Sequence, residues 1–507
     1  MKIFAAHSAD FYKTGHFYQY PDGTELVYSN STPRSDRYAS LGDAFDHKVV
    51  FVGLQGVIQW MLIDLWNETF FKLPKEVAIN RYLRRVNGGL GPDAVTANNF
   101  AALHDLGYLP LRIKALPEGA RVNLRVPFYT VCSTKKGFGW LTNYIETQIS
   151  AETWKTVTVA TIAYEFRRLL DRYSEETGAA KAFVPWQGHD FSMRGMSGIH
   201  DAAQSSIGHL MSFLGTDTIP ALDYLDIYYP EANPDAPTSF LGGSVPATEH
   251  SVMCMGGKTD ELETYRRLIC DVYPTGIVSI VSDTWDFWHI LTVTMPALKA
   301  EIMARKPNPL GQAKVVLRPD SGDPVKIICG DPEAPAGSPA SKGAVECLWE
   351  VFGGTKTDKG YRVLDSHIGL IYGDSITYER AYRILEGMKA KGFASANIVF
   401  GVGSFTYQGV TRDTFGQAIK ATYGIVNGVG RELEKDPVTD NGTKKSAKGL
   451  LRVEYVGDDY VLHDKQTWEQ EAGGELATVF EDGVLIPARK QTTSQIRQRL
   501  HGTSFFG

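Results

Sequence analysis

At 507 residues the chain is long enough for roughly two to four domains' worth of core, or for one large α/β barrel with additions. It is 43% hydrophobic and 22% charged, and its net charge of −6 excludes a general nucleic-acid or membrane-surface binder, so any anion must be gripped by local basic clusters. The five cysteines (Cys132, Cys254, Cys270, Cys329, Cys347) form no CxxC pair or metal-ligand spacing, which points to a reducing compartment and no structural zinc.

At the N-terminus His7 and Asp10 come too early for a signal-peptide core, so the expected location is cytoplasmic. Residues 1–48 mix turns with aromatic-rich pieces. From Val49 to Trp66 the chain is strongly apolar but broken by Gln55, Gln59 and Asp64. Val57, Ile58, Met61, Leu62 and Leu65 recur at helical spacing, which predicts a buried amphipathic helix and no membrane span. The run Arg121 to Pro127 suggests strands of a smaller antiparallel unit. In S-V-P-A-T-E-H-S, residues 244–251, His250 stands beside Glu249 at an expected strand end, after a turn-forming Gly242-Gly243. A histidine so placed serves as acid, base or nucleophile near neutral pH.

The second half has a rhythm of short apolar runs, each ending in Gly, Asp or Ser before a helical stretch. Ile277–Val281 ends at Ser282-Asp283, and a helix then reaches about Lys306. Lys314–Leu317 ends at R-P-D-S-G-D-P. His367–Tyr372 ends at Gly373-Asp374, and Asn397–Phe400 at G-V-G-S. After Asp374, the stripe Ala381, Ile384, Leu385 and Met388 marks a helix closed by Lys389, Lys391 and Gly392. Strands alternating with helices imply a parallel sheet covered by helices, here expected to close as a barrel with its chemistry at the strands' carboxyl ends. An open doubly wound sheet has the same rhythm and remains the alternative. Segments 229–243, 329–343 and 436–449 are rich in Pro and Gly and are expected as surface loops, the last one basic through Lys444, Lys445 and Lys448.

Several side chains have a chemical reading beside a plain one. Arg318 offers a planar cation for a ring or a phosphate, and Asp320 an acceptor for ribose hydroxyls or Mg²⁺. A strand-to-helix turn needs neither. Gly403 and Ser404 can admit a phosphate onto backbone amides, although a tight turn explains them equally well. Phe191, Arg194 and Asp217 suit an aromatic-ring pocket, against the alternatives of a core Phe and a helix-capping Asp. Tyr12 by default belongs to a packing segment, and Arg412, Lys420 and Lys435 to a solvated surface.

Taken in order, the motifs D-F-Y-K-T-G-H-F-Y-Q-Y-P (10–21), G-L-Q-G-V-I-Q (53–59), H-D-F-S-M-R-G (189–195), G-T-D-T (215–218), S-V-P-A-T-E-H-S, V-S-D-T-W-D (281–286), R-P-D-S-G-D-P (318–324), Y-G-D (372–374), F-G-V-G-S (400–404), T-R-D (411–413) and K-D-P-V (435–438) closely resemble the nicotinamide phosphoribosyltransferase family over most of the chain. The resemblance implies a type II phosphoribosyltransferase α/β barrel with an additional smaller α+β domain. Residues 1–150 would form part of that domain and of a homodimer interface, 151–435 the barrel with the active site, and 436–507 a return to the smaller domain.

It also implies a reaction: nicotinamide and phosphoribosyl pyrophosphate give nicotinamide mononucleotide and pyrophosphate, with Mg²⁺, and with ATP hydrolysis coupled through phosphorylation of His250. By motif match, Phe191 and Tyr12 of the partner subunit would sandwich the ring, Asp217 would accept the amide N–H₂, and Arg194, Arg318 and Ser282 would line the pocket. Asp320, Gly373 and Asp374 would hold the ribose, Gly403 and Ser404 the 5′-phosphate. Arg34, Arg412, Lys420 and Lys435 of the partner chain would face the pyrophosphate or the ATP phosphates. Asp286 is the expected partner of the His250 ring, with Glu249 the nearby acid. Where the family has a glycine triplet, this chain has Gly403-Ser404-Phe405, and Phe405 is expected to narrow the phosphate site. A nicotinate-using enzyme and a non-catalytic signalling dimer on the same scaffold are the alternatives. Asp217 argues against the first, because a carboxylate facing the substrate's own carboxylate costs on the order of several kcal/mol.

Overall fold

The computed structural model of the chain describes residues 3–236, 239–434, 446–502 and 505. Six parallel strands, buried on both faces and correspondingly apolar, build one sheet: Gly188–Asp190, Gly215–Thr216, Val278–Val281, Val315–Arg318, Ile368–Tyr372 and Ile398–Val402. Across the sheet they run 215–216, 188–190, 398–402, 368–372, 315–318, 278–281. The two edges do not stay open. Gly243 bridges Gly215 and Ala247 bridges Ser279, both in parallel sense. Thr216 N donates to Gly243 O at 3.0 Å, and Thr248 N to Ser279 O at 2.9 Å. Residues 243–248 thus act as a further stave that closes the ring and removes the exposed edges. The expected α/β barrel is formed, and the open doubly wound alternative is not.

That closing stave differs from the expected strand ending at His250. Pro246 has no N–H to give a ladder, so the segment makes isolated bridges only. His250 instead opens a helix, His250–Gly256.

The smaller α+β part is built on a seven-stranded sheet that includes Thr24–Thr32, Leu111–Ala115, Tyr129–Ser133, Ala418–Val426, Val429–Glu432 and Ala477–Glu481. The strand Thr24–Thr32, beside the central strand Tyr129–Ser133, pairs antiparallel with it on one side and with Ala418–Val426 on the other. The 39-residue helix Gly139–Thr177 packs against both this sheet and the barrel helix Ile199–Leu210. At about 1.5 Å per residue it is about 58 Å long. The close crossing of the two helices needs Gly208, where a Cβ would lie 2.7 Å from Thr156 O and 2.9 Å from Ala160 N.

The apolar run from Val49 is not helical throughout. Lys48–Val50 is a strand paired with Arg121–Asn123, and the helical stretch starts at Leu54 and continues in wider π turns to Phe71. The start is fixed by the fully buried Glu118, whose carboxylate accepts Gly53 N at 2.9 Å and Gln55 N at 2.6 Å. This satisfies N–H groups that a helix leaves orphaned at its N-terminus. The expected loop at 329–343 carries one short helix, Pro339–Lys342; most of 436–449 lies outside the described residues. Among the described residues no helix is long and apolar enough to cross a membrane.

Candidate active site

Each barrel strand delivers its polar residues at its carboxyl end, so they converge on one rim. A cavity of about 920 Å³ there is lined by Phe191, Arg194, Asp217, His250, Arg318, Asp320, Gly373 and Asp374 among others. A second cavity of about 630 Å³ runs down the barrel axis and meets the first at Phe191, Asp217 and Ala247.

The Phe191 ring lies against the strands beside it, and two glycines make room for it. A Cβ on Gly401 would collide with the ring, and one on Gly373 would come within 3.2 Å of it. The Arg318 guanidinium sits 5.9 Å from the ring centroid, held by Nη2 donating to Thr248 O at 2.7 Å. Asp217 Oδ1 accepts the Ser244 hydroxyl at 2.6 Å and faces His189 Nε2 at 2.9 Å. Burial pushes the Asp217 carboxyl up, but His189, Ser244 and Arg318 together hold it below the usual value.

Beneath these walls lies Asp190, fully buried. Its Oδ1 accepts Ser192 N and Oγ at 2.9 and 2.6 Å, and its Oδ2 accepts Thr216 and Thr218 hydroxyls at 3.0 and 2.8 Å. The Asp190 carbonyl takes Asp217 N at 3.0 Å. One carboxylate therefore fixes the turn carrying Phe191 to the turn carrying Asp217. His209, also buried, bonds Tyr407 OH at 2.7 Å and Gly215 O at 2.9 Å; burial drives its pKa down to about 4, against the raising pull of the Asp190 carboxylate.

At the other end of the cavity, the ring of His250 does not meet Asp286. Its Nδ1 lies 3.2 Å from Thr284 Oγ1 and its Nε2 3.7 Å from Asp283 Oδ1. Asp286 caps the next helix by accepting His289 N at 3.1 Å, the ordinary use of an Asp at a helix start. Glu249 accepts the Ser251 hydroxyl. The acid beside the ring is Asp283, which sequence reasoning missed although it stands directly beyond the strand Val278–Val281; its Oδ2 accepts Asp320 N at 3.0 Å. Asp283 Oδ1 and Asp320 Oδ1 are buried with no hydrogen-bond partner. The Asp320 carboxyl is pushed up by burial and, despite Arg318 at 3.3 Å, by the neighbouring Asp283 and Asp374. Asp320 lines the rim cavity and Asp283 is bonded to its backbone, and carboxylate oxygens left without donors suit a hard cation that takes its other oxygens from a phosphate ligand. No group of three or more His, Cys, Asp or Glu with metal-site geometry occurs among the described residues.

Ser282, expected in the pocket, is fully buried; its hydroxyl donates to Ile280 O at 2.7 Å, and it lines neither cavity. Asp374 is exposed at the rim and accepts the Ser375 hydroxyl at 2.9 Å. Ser404 opens the short helix Ser404–Tyr407 beside Gly195, where a Cβ would collide with its hydroxyl. Like Gly403 and Ser404, Phe405 does not line the rim cavity. It is 63% exposed, with Arg380 over its ring.

Tyr12, Arg34, Arg412 and Lys420 do not line the rim cavity of the subunit that carries them. Tyr12 is 61% exposed, edge-on to His16. Arg34 donates to Gly416 O at 2.9 Å, and Arg412 lies 3.5 Å from Asp413. Lys420 lies on the strand paired with Thr24–Thr32. Lys435 lies outside the described residues.

Residues 186–484 match the model of the nicotinate phosphoribosyltransferase (NAPRTase) family. The chain is 61% identical over 499 residues to the nicotinamide phosphoribosyltransferase of Acinetobacter baylyi, covering 98% of this chain and 97% of that one. It is 34% identical over 454 residues to the enzyme of the same name from Mycoplasma pneumoniae, covering 87% and 94%. Among solved structures, the nicotinate-nucleotide pyrophosphorylase of Pyrococcus furiosus shares the fold with a TM-score of 0.56 at 13% identity, covering 98% of this chain and 94% of that one. The chain belongs to the nicotinate phosphoribosyltransferase family, and within it to the nicotinamide phosphoribosyltransferases.

Proposed function

We propose that the protein joins nicotinamide to phosphoribosyl pyrophosphate, giving nicotinamide mononucleotide and pyrophosphate in NAD salvage, with ATP hydrolysis coupled through His250. The observation that carries this reading is the meeting, in one rim cavity, of an aromatic face (Phe191), an amide acceptor (Asp217), a cation (Arg318), ribose acceptors (Asp320, Asp374) and His250.

The pyridine nitrogen is already a nucleophile and needs no general base. The chain's task is to hold the ring against C1 of the ribose, to stabilise a cation-like sugar and to receive the departing pyrophosphate. Phe191 supplies one ring face, and Tyr12 of the partner subunit would supply the other. Asp217 accepts from the amide, Arg194 and Arg318 close the pocket, and Asp320 and Asp374 beside Gly373 take the ribose hydroxyls. Gly403 and Ser404 take the 5′-phosphate. Arg34, Arg412, Lys420 and Lys435 of the partner subunit would meet the remaining phosphates, so the working unit is a homodimer. Asp283 and Asp320 would hold Mg²⁺ through their orphaned oxygens, where the ion neutralises pyrophosphate charge.

In the coupled step, a ring nitrogen of His250 attacks the γ-phosphorus of ATP and ADP leaves. Thr284 Oγ1, 3.2 Å from Nδ1, orients the ring for that attack. Incubation with phosphoribosyl pyrophosphate, Mg²⁺ and either nicotinamide or nicotinate, with and without ATP, tests the reading by mass spectrometry. Nicotinamide mononucleotide is expected in preference and boosted by ATP. In His250→Ala, slow synthesis should persist without the boost. Product from nicotinate alone overturns the amide assignment. Undiminished ATP stimulation in the variant removes His250 from the coupling.

A further inference from the structure

Three staves of the barrel meet at Asp217, and they meet on one oxygen. His189 comes from the strand Gly188–Asp190, Ser244 from the closing stave, and Asp217 from the end of Gly215–Thr216. Both neighbours address Oδ1, at 2.9 and 2.6 Å, and His189 Nε2 and Ser244 Oγ are themselves 3.5 Å apart. Among the described residues Oδ2 has no hydrogen-bond partner. The arrangement is built in: His189 is nearly buried, its ring lies 4.7 Å from that of Phe191, and Gly215 leaves space where a Cβ would stand 2.6 Å from His189 Nδ1.

We infer that His189 and Ser244 are positioning residues that set the preference for amide over acid: by occupying Oδ1 of Asp217 they present Oδ2 alone to the substrate's side group. This rests on the reading of the site given above and adds to it the residues that enforce the choice. A carboxylate with one oxygen saturated by donors stays ionised and keeps a single free acceptor. An amide N–H₂ matches that acceptor, and a nicotinate carboxylate is repelled by it. The charged or titratable groups facing Asp217 are His189 and, from across the rim, Arg318. Without His189 and Ser244, Arg318 alone opposes burial. Asp217 then takes up a proton at higher pH and can donate its O–H to a carboxylate.

The test is kcat and KM for nicotinamide and for nicotinate, from about pH 6 to about pH 9, in the wild type, His189→Leu, His189→Gln and Ser244→Ala. His189→Leu should lower the amide-to-acid ratio of kcat/KM by about tenfold, and Ser244→Ala by a smaller factor. The loss should fall mainly in KM. In both variants the nicotinate reaction should strengthen as pH falls, more steeply than in the wild type. His189→Gln keeps an N–H donor and should restore most of the ratio. If His189→Leu fails to fold, Ser244→Ala, on the exposed end of its stave, still decides the matter. An unchanged ratio and pH profile in folded variants overturns this inference alone. A wild type that makes no nicotinamide mononucleotide overturns the functional reading instead.

Discussion

Two acids at the same rim, Asp190 and Asp320, stand in opposite surroundings. Asp190 has no solvent contact, yet burial is outweighed by His209 and by hydroxyl and N–H donors on both of its oxygens, and its pKa is held down. Asp320 is less deeply buried, has one orphaned oxygen and two acidic neighbours, and its pKa is pushed up. The first belongs to the end of the cavity that grips a ring, and the second to the end that faces sugar and phosphates. The ring end has one aromatic face, its amide acceptor and its cation within one subunit, and would take only the second ring face from the partner. The phosphate end carries unbalanced acid, and cationic substrate partners are what it lacks. A neutral flat substrate can be met by a finished wall, whereas a polyanion with its metal brings the charges that finish the other.

The largest effect is expected at Asp190. Asp190→Asn puts an N–H₂ where two hydroxyls donate, and should cost about 2 kcal/mol of stability, read as a lower denaturant midpoint. Because the pKa is depressed, Asp190's contribution is present above the unfolded carboxyl pKa and is lost as pH falls through the folded value. The stability difference between wild type and variant should therefore shrink in acid. A midpoint that does not move would mean that neither the charge nor the paired acceptor oxygen of Asp190 fixes the two turns. Next in size is Gly401→Ala. Its methyl would meet the Phe191 ring from behind, so the ring must shift into the cavity, costing about 1 kcal/mol in stability and raising the nicotinamide KM by about tenfold, with little change in the KM for phosphoribosyl pyrophosphate.

Much of the site is legible in the sequence because strand ends announce themselves. Arg318, Asp320, Gly373, Asp374 and Asp217 each come at or just after an apolar run, and the barrel sets the carboxyl ends of its strands on the rim. The residues misjudged from sequence share a cause. Asp286 is the expected partner of the His250 ring, but Asp283 is the nearer strand-end residue, and three positions further on the chain has turned to start a helix. Ser282 is on the inward turn of the same segment and spends its hydroxyl on Ile280 O. His189 lies within a strand, where alternation alone does not distinguish a lumen-facing histidine from a core one. The closing stave is hidden by Pro246, which leaves bridges in place of an expected strand. The pairing of Thr24 to Thr32 with Ala418 to Val426 joins segments almost four hundred residues apart in sequence, which no local pattern encodes.

The smallest expected effect is the most discriminating, because its sign is reversed. Asp320→Asn removes a charge that burial, Asp283 and Asp374 all oppose. For an acid whose folded pKa is raised, the folded state binds the proton more tightly, so ionisation at neutral pH costs stability that returns as pH falls. The substitution should therefore stabilise the substrate-free protein by about 0.5 kcal/mol near neutral pH, a gain that vanishes in acid, while activity falls steeply. Added Mg²⁺ with pyrophosphate should raise the wild-type Tm more than that of the variant, because the variant keeps only one of the two orphaned carboxylate oxygens, that of Asp283. Equal shifts in the two proteins would place the cation away from Asp320. A variant less stable than wild type would mean that the Arg318 contact at 3.3 Å outweighs the acidic crowding, and the contrast with Asp190 would then be one of degree.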